Sequence, residues 1–291
     1  MILEILAKLV SESILSIYPT FVKNIDLSLG LQLWSRCFTY ILISTLFIDW
    51  SIVYKPLFSR VGILLSLIMI VHIYTSYRGF QLLHGGIAYA LFYTYPLMIL
   101  LLSGEKIHYM MFIALLGVLI IYMSDDAPIH DTPDKTSDKS GDQQVDQSNA
   151  KYWGYIMIFI AAFTEAVVYF LIREIKTTNH WNHLFLSYAL GALVFSAYYF
   201  KDILHITLSS RLFLSMGINT FIGIFGHLLR FFAISHLQPS LYAPLSYFSI
   251  IMASIYGYMF NGEIISYTKM VGMLCIVLSN LYIMYDTHIF A

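Results

Sequence analysis

Seven ionisable residues interrupt long apolar stretches of the sequence and are the first candidates for chemistry: Glu12, Arg36, His72, Arg78, Glu165, His227 and Arg230. Ionisable groups are costly in an apolar environment, so they usually face a cavity or one another. The carboxylates of Glu12 and Glu165 could bind a cationic group of a small substrate or exchange a coupling proton. In the alternative interpretation, an arginine or a hydrogen bond between helices neutralises each carboxylate, whose role is then structural.

The arginines allow a similar pair of interpretations. Arg78 and Arg230 both lie late in their apolar stretches, where each could anchor an anionic group or form a salt bridge at a gate. Arg230 is a candidate for substrate binding, while Arg78, Arg36 and His227 are candidates for gating or structural ion pairs. Alternatively, each long side chain reaches polar surroundings at the end of its helix, where positive charge is favourable.

Tyrosines supply the remaining candidates for substrate contact. In residues 239–261, Pro244 removes a helical hydrogen bond, and such a break is tolerated where protein or a wet cavity satisfies the freed carbonyl. In residues 85–103, Tyr89 and Tyr93 share one helical face with Phe92 and Pro96. Stripes of this kind usually pack in a core, but hydroxyl groups beside a proline also suit a cavity wall. The candidates in the two segments are Tyr89, Tyr93, Tyr242, Ser246 and Tyr247.

The composition indicates what positions these residues. Of the 291 residues, 59% are hydrophobic and only 11% are charged, against about 25% charged in soluble domains. A membrane helix needs about 20 largely apolar residues. Ten stretches meet this description, so the sequence predicts an all-α integral membrane protein with spans at 3–22, 29–48, 60–83, 85–103, 107–124, 152–173, 183–201, 212–235, 239–261 and 266–285.

A polar segment divides the ten predicted spans into five and five. Residues 125–150 contain seven Asp and almost no large apolar side chain, a composition typical of a disordered linker. The halves 1–124 and 151–291 also share a pattern, because Arg78 recurs 152 positions later as Arg230 and Glu12 recurs 153 positions later as Glu165. Since five is odd, the second repeat must cross the membrane inverted. Inverted five-helix repeats are typical of secondary transporters that work by alternating access.

Other classes of function find little support in the sequence. A net charge of −1 gives no basic surface for nucleic acid. The sequence contains no Walker motif, HExxH motif or nucleophile elbow, and we expect no enzyme activity, no cofactor and no metal. Because nothing indicates ATP hydrolysis, uphill transport would need a coupling proton or an exchange solute. The expected partners are therefore a small-molecule substrate and the lipid bilayer.

The last two predicted spans carry a resemblance to a known family. Residues 237–283 resemble the closing stretch of the drug/metabolite transporter superfamily, EamA branch, through Ala243, Pro244, Tyr247, Gly257, Gly262, Glu263 and Gly272. The first half is similar to the same pattern through Arg36, Pro96, Leu97, Gly104, Glu105 and Gly117. The sequence departs from the family pattern in two respects. The stretch between Pro96 and Glu105 is short beside its counterpart in the second half, and the Asp-rich segment 125–150 is long for a connection that is short in the family.

The resemblance implies an alternating-access carrier of small organic metabolites, with a central cavity and both termini in the cytoplasm. Its substrates would be amino acids, S-adenosylmethionine or similar zwitterionic or polar solutes, moved across the cell inner or plasma membrane. The resemblance also implies that Glu105 and Glu263 are structural. A scaffold or regulatory membrane protein that keeps the fold without transporting anything remains the alternative, because the fourth span is shortened.

Overall fold

The structure is a computed structural model, and the residues that it describes form a bundle of helices. It describes residues 1–17, 27–83, 85–124, 142–205, 209–262 and 264–286, so Glu263 and most of the predicted linker lie outside the described residues. The helices are α1 (Ile2–Leu15), α2 (Leu29–Ser44), α3 (Trp50–Leu57), α4 (Arg60–Leu82), α5 (Gly85–Phe92), α6 (Tyr95–Ser103), α7 (Met110–Ser124), α8 (Asp142–Glu174), α9 (His180–Tyr198), α10 (Phe200–Leu204), α11 (Ser210–His236), α12 (Pro239–Ser246), α13 (Phe248–Asn261) and α14 (Tyr267–Asp286).

Five described segments are long and apolar enough to cross a membrane: Arg60–Leu82, Asn149–Glu174, Leu212–His236, Pro239–Phe260 and Tyr267–Asp286. Ala88–Ser103 and Met110–Met123 are shorter apolar helices. Large apolar side chains such as Leu101, Leu193 and Phe213 are exposed on the outside of the bundle. Helices that satisfy their own backbone hydrogen bonds and present apolar side chains outward suit a lipid environment.

Each predicted span contains a helix, but the boundaries differ in three ways. The short helices α3 and α10 lie between predicted spans and were not predicted. The fourth and ninth predicted spans are each divided into two helices, at Tyr93–Thr94 and at Tyr247. The helix α8 begins at Asp142, inside the segment predicted to be a linker. The ten membrane crossings and the inverted orientation of the halves stay predictions.

Local chemistry explains where several helices begin and end. Ser59 begins α4 because its Oγ accepts the backbone N–H of Gly62 at 3.0 Å, and Asn179 begins α9 by accepting the N–H of Trp181 at 3.0 Å. Such caps satisfy backbone donors that the first helical turn leaves unpaired. Gly104 and Gly262 follow α6 and α13, each with φ of +69°, a conformation that glycine adopts without steric cost.

The largest helix contacts join the two halves of the chain. Helix α1 packs on α11, α4 on α8 and on α9, α2 on α9, α7 on α14, and α6 on α12. The α7–α14 contact is close because Gly117 and Gly272 face each other. A Cβ atom on Gly117 would lie 2.5 Å from the Gly272 carbonyl oxygen, and one on Gly272 would lie 2.6 Å from the Gly117 oxygen. Glycine at both positions therefore lets the two backbones approach.

Candidate functional site

An ion-pair network lies buried between α1, α8 and α11. The guanidinium of Arg230 on α11 bridges two carboxylates, with Nη1 2.5 Å from Glu165 Oε1 on α8 and Nη2 3.3 Å from Glu12 Oε1 on α1. Lys8, one turn before Glu12, forms a second ion pair with Glu12 Oε1. The side chains of Lys8 and Glu12 are fully buried. Because buried charges need partners, this network fixes the three helices against one another.

The carboxylate of Glu12 has every oxygen occupied. In addition to Lys8 and Arg230, the Ser249 hydroxyl of α13 donates to Glu12 Oε2. The ammonium of Lys8 lies over the ring of Tyr242 on α12, 3.6 Å from its centroid, a favourable cation–π position. These contacts agree with the structural interpretation of Glu12, in which neighbouring groups neutralise the carboxylate.

Glu165 contacts a histidine in addition to Arg230. Its Oε2 lies 3.3 Å from Nε2 of His72 on α4. The other ring nitrogen of His72, Nδ1, lies 3.1 Å from the carbonyl oxygen of Ala161 and 3.2 Å from Oγ1 of Thr164. The network therefore continues from α1 through α11 and α8 to a histidine on α4.

A second polar cluster surrounds Arg36 on α2. Nη1 donates to the Tyr77 hydroxyl at 3.0 Å, and Nη2 donates to the Tyr188 hydroxyl at 3.0 Å and lies 3.2 Å from His227 Nε2. His227 Nδ1 lies 2.7 Å from the carbonyl oxygen of Gly223. Because a carbonyl only accepts, Nδ1 carries the proton and Nε2 is free to accept from Arg36. This arrangement makes His227 a neutral partner that orients the guanidinium.

A partly open cavity lies between the two clusters. Its polar lining comes from Arg36, His72, Tyr77, His227 and Arg230, and its other walls include Tyr89, Phe92 and Tyr93. The space open to the centres of water molecules is about 90 Å³, and the whole empty space, including the part continuous with solvent, is about 640 Å³. A concave, mainly apolar site with a few convergent polar groups suits a small organic ligand.

The structure brings together many of the predicted site residues, some in the wall of the cavity and others in the buried ion-pair network. Arg36, His227, Arg230, Tyr89 and Tyr93 line the cavity. Glu12, Glu165 and Tyr242 belong to the buried network and are absent from the cavity lining.

Ser246 and Tyr247 lie buried at the helix break, where the Ser246 hydroxyl donates to the Tyr242 carbonyl at 3.1 Å. The Tyr247 hydroxyl has no hydrogen-bond partner among the described residues. Arg78 is exposed, and the structure does not bring it into either cluster. Glu105 accepts the backbone N–H of Ser240 at 2.8 Å and so caps α12, the structural kind of role that the resemblance implied.

Several residues of the site were missed in the sequence analysis. Lys8 precedes Glu12 by four positions, a spacing that places the two side chains on one helical face. That spacing was the available signal. Tyr77, Tyr188 and Ser249 have no such local signal, because their partners lie far away in the sequence. Within the described ranges, no cluster of three or more His, Cys, Asp or Glu side chains is arranged to hold a metal ion.

The apolar helices are those of a multi-pass membrane protein. Residues 152–285 match the EamA-like transporter family, which belongs to the drug/metabolite transporter superfamily, so the second half of the chain contains an EamA domain. The match confirms, for the second half of the chain, the resemblance inferred from the sequence. Members of this family are transporters.

The chain was also compared with curated proteins and with solved structures. No curated protein matches the sequence. The crystal structure of another protein is similar over 95% of this chain and 94% of the other, with a TM-score of 0.68 and 14% sequence identity. At this identity the likeness shows a shared fold over nearly the whole chain, including the half outside the family match.

Proposed function

We propose that the protein is a secondary transporter that moves a small zwitterionic metabolite, such as an amino acid or S-adenosylmethionine, by alternating access. The observation that carries this proposal is the cavity with two arginines, Arg36 and Arg230, in its wall. Charged groups at membrane depth that face a cavity usually mark a substrate pathway. The EamA match indicates a membrane transporter, and the cavity suggests its kind of substrate.

The guanidinium groups suit a carboxylate on the substrate. Arginine presents a planar set of donors that matches a carboxylate in a bidentate geometry. In Arg230, Nη1 and Nη2 already donate to Glu165 and Glu12. In this proposal Glu12 and Glu165 position Arg230, and they do not contact the solute themselves.

The tyrosines of α5 and the loop that follows it suit the cationic part of a zwitterion. Tyr89 and Tyr93 stack with ring centroids 5.8 Å apart, and both line the same cavity as the two arginines. An ammonium or sulfonium group is attracted to the face of an aromatic ring. A solute with a carboxylate at one end and a cation at the other would thus find complementary groups on different walls.

The pairing of helices supports alternating access by inverted repeats. The contact of α1 with α11 joins the first helix of one proposed repeat to the third of the other, and the contact of α4 with α8 is its counterpart. The pairs α2–α9 and α7–α14 each join equivalent helices, and α6–α12 joins the fourth predicted span to its counterpart, the ninth. In these pairs, a helix of one repeat contacts the corresponding helix of the other, or two contacts correspond when the repeats are interchanged. Contacts of this kind are expected when two inverted repeats, residues 1–124 and 151–291, enclose one site. We further propose that both termini are cytoplasmic and that the protein resides in the plasma membrane.

The scaffold alternative has one observation in its favour. Helix α6 has 9 residues, whereas α13, its counterpart in the second half, has 14. A scaffold, however, has no need of charged groups beside an open space, since unpaired polar surface inside a membrane protein is costly. The polar lining of the cavity therefore favours a transporter.

The test is uptake into proteoliposomes containing the purified full-length protein. Radiolabelled amino acids and S-adenosylmethionine are offered to the wild type, to Arg36→Gln and to the control Arg60→Gln, whose arginine is exposed at the start of α4. We expect saturable uptake of at least one of these solutes by the wild type and by the control. In Arg36→Gln, uptake should fall roughly 10-fold or more, because a charge-assisted hydrogen bond contributes about 1.5–3 kcal/mol. Absence of uptake of every solute by the wild type would overturn the proposal.

A further inference from the structure

The hydrogen bonds of His72 fix the position of one proton. Nδ1 lies 3.1 Å from the Ala161 carbonyl oxygen, which can only accept. Its other neighbour, the hydroxyl of Thr164, already donates to a backbone carbonyl, either Ile160 at 2.8 Å or Ala161 at 3.0 Å. The hydroxyl oxygen is therefore an acceptor toward His72. It follows that Nδ1 carries a hydrogen in every protonation state of the ring.

The opposite nitrogen then faces a carboxylate oxygen. With Nδ1 protonated, a neutral His72 has a lone pair on Nε2, and this lone pair lies 3.3 Å from Glu165 Oε2. Two acceptors at that distance repel each other unless a proton lies between them. Glu165 Oε1 is already bonded to Arg230, so the carboxylate is also held in place. The geometry thus requires one further proton on the pair, either on His72 or on Glu165.

We propose that His72 and Glu165 together form the binding site for a coupling proton. His72 lines the cavity, whereas Glu165 lies behind it, so a proton from water in the cavity reaches Nε2 first. Binding forms an N–H bond at Nε2, or an O–H bond at Glu165 Oε2 after transfer. Release returns the same proton to water in the cavity. This inference rests on the proposed transport function and names the ion that drives it.

The charges around His72 determine what the proton does. The groups that act on His72 from neighbouring helices are Glu165 on α8, Arg36 on α2, and Arg230 and His227 on α11. Within the ion-pair network, Lys8 and Arg230 balance Glu12 and Glu165, so the shared proton adds one positive charge at the cavity wall.

That added charge lies beside the two arginines proposed to bind a carboxylate. Proton binding therefore strengthens binding of a carboxylate-bearing solute, and by linkage the solute strengthens proton binding equally. The two ligands would be transported together, as proton–solute symport. In this proposal, binding of the solute favours binding of the proton. A site of the opposite kind would release a proton when the solute binds.

The first experiment counts protons without any solute. The full-length protein in detergent is titrated from about pH 5 to pH 9, the range in which histidine pairs commonly titrate, in the wild type, His72→Gln, Glu165→Gln and the double variant. Coupled groups share a macroscopic titration step. We therefore expect each single variant to bind one proton fewer than the wild type over this range, and the double variant to lose no more than either.

A matched control and a conservative variant make the count decisive. His205→Gln removes an exposed histidine, and any change that it makes in the proton count should be the same with and without Glu165→Gln. If Glu165→Gln alone retains the wild-type proton count, the two groups are independent and the proposal is wrong. If Glu165→Gln does not fold, Glu165→Asp takes its place. The shorter side chain of aspartate should change the pH at which the shared proton is bound, while the number of protons bound remains unchanged. Binding at the same pH as in the wild type would overturn the proposal.

The second experiment separates the proton site from the transport function. Proteoliposomes with an inward proton gradient are offered labelled amino acids and S-adenosylmethionine. We expect the gradient to accelerate uptake by the wild type several-fold, and to have no effect on uptake by His72→Gln. Uptake that ignores the gradient in the wild type would refute proton coupling while leaving transport intact. Absence of all uptake would refute the transport function, with the titration still deciding whether the pair holds a proton.

Discussion

Replacement of Arg230 by glutamine tests the buried network most severely. In the wild type, one guanidinium holds Glu165 at 2.5 Å and Glu12 at 3.3 Å. The variant leaves both carboxylates buried, with Lys8 as partner of Glu12 and His72 as partner of Glu165. Removal of one partner from a buried ion pair costs roughly 3–5 kcal/mol. Because each carboxylate keeps one partner, we expect about 3 kcal/mol.

The assay is thermal unfolding of the purified protein in detergent, followed by tyrosine and tryptophan fluorescence. A loss of 1 kcal/mol lowers Tm by roughly 2–4 °C in a domain of 150–250 residues, so Arg230→Gln should lower Tm by on the order of 10 °C. Arg230→Lys should lose about half as much, since a single ammonium cannot hold two carboxylates with the geometry of a guanidinium. In Arg230→Gln/Glu165→Gln, part of the loss should be recovered, because one uncompensated charge is gone.

The chain offers a matched control for this experiment. Arg78 occupies the position in the first half that corresponds to Arg230, but its side chain is exposed. Arg78→Gln should therefore change stability by no more than about 0.5 kcal/mol, as surface substitutions usually do. Equal Tm values for Arg78→Gln and Arg230→Gln would show that Arg230 is not buried between two carboxylates, and would refute the network.

Three further substitutions test the packing and the capping. Gly117→Ala should destabilise by roughly 1–3 kcal/mol, because the added Cβ would lie 2.5 Å from the Gly272 carbonyl oxygen. Gly217→Ala, which meets no atom within 4 Å, should instead stabilise by up to about 1 kcal/mol, and equal Tm shifts in the two variants would contradict the close contact. Glu105→Ala should cost about 1 kcal/mol, since Ser240 N–H loses its acceptor, and an unchanged Tm would argue against the cap.

Much of the helical architecture follows from the sequence alone. Long apolar runs predict helices because a membrane leaves the backbone few other ways to satisfy its polar groups. The cost of ionisable groups in an apolar environment also predicts that Glu12, Glu165 and Arg230 face a cavity or a partner, but it does not predict that they contact one another. The match of Gly104 with Gly262 is likewise visible in the sequence, and both residues end a helix with φ of +69°.

Other features depend on packing that no local pattern records. Arg78 and Arg230 occupy equivalent positions in sequence, yet one is exposed and the other is buried between helices. Near the end of a span, a long side chain can reach polar surroundings outside the bundle as readily as a partner within it. Only the packing of α11 against α1 and α8 decides between these outcomes for Arg230. The same holds for Tyr188, whose contact with Arg36 joins residues 152 positions apart.

The most direct test of the central claim is whether the cavity opens to both sides of the membrane. Ser76 lines the cavity, so a single cysteine at Ser76→Cys, with Cys37→Ala and Cys275→Ala removing the native thiols, reports its accessibility. Oriented vesicles are exposed to a membrane-impermeant thiol reagent from either side. Alternating access predicts modification from both sides and protection by the transported solute. Modification from one side only, unchanged by solute, would contradict the account.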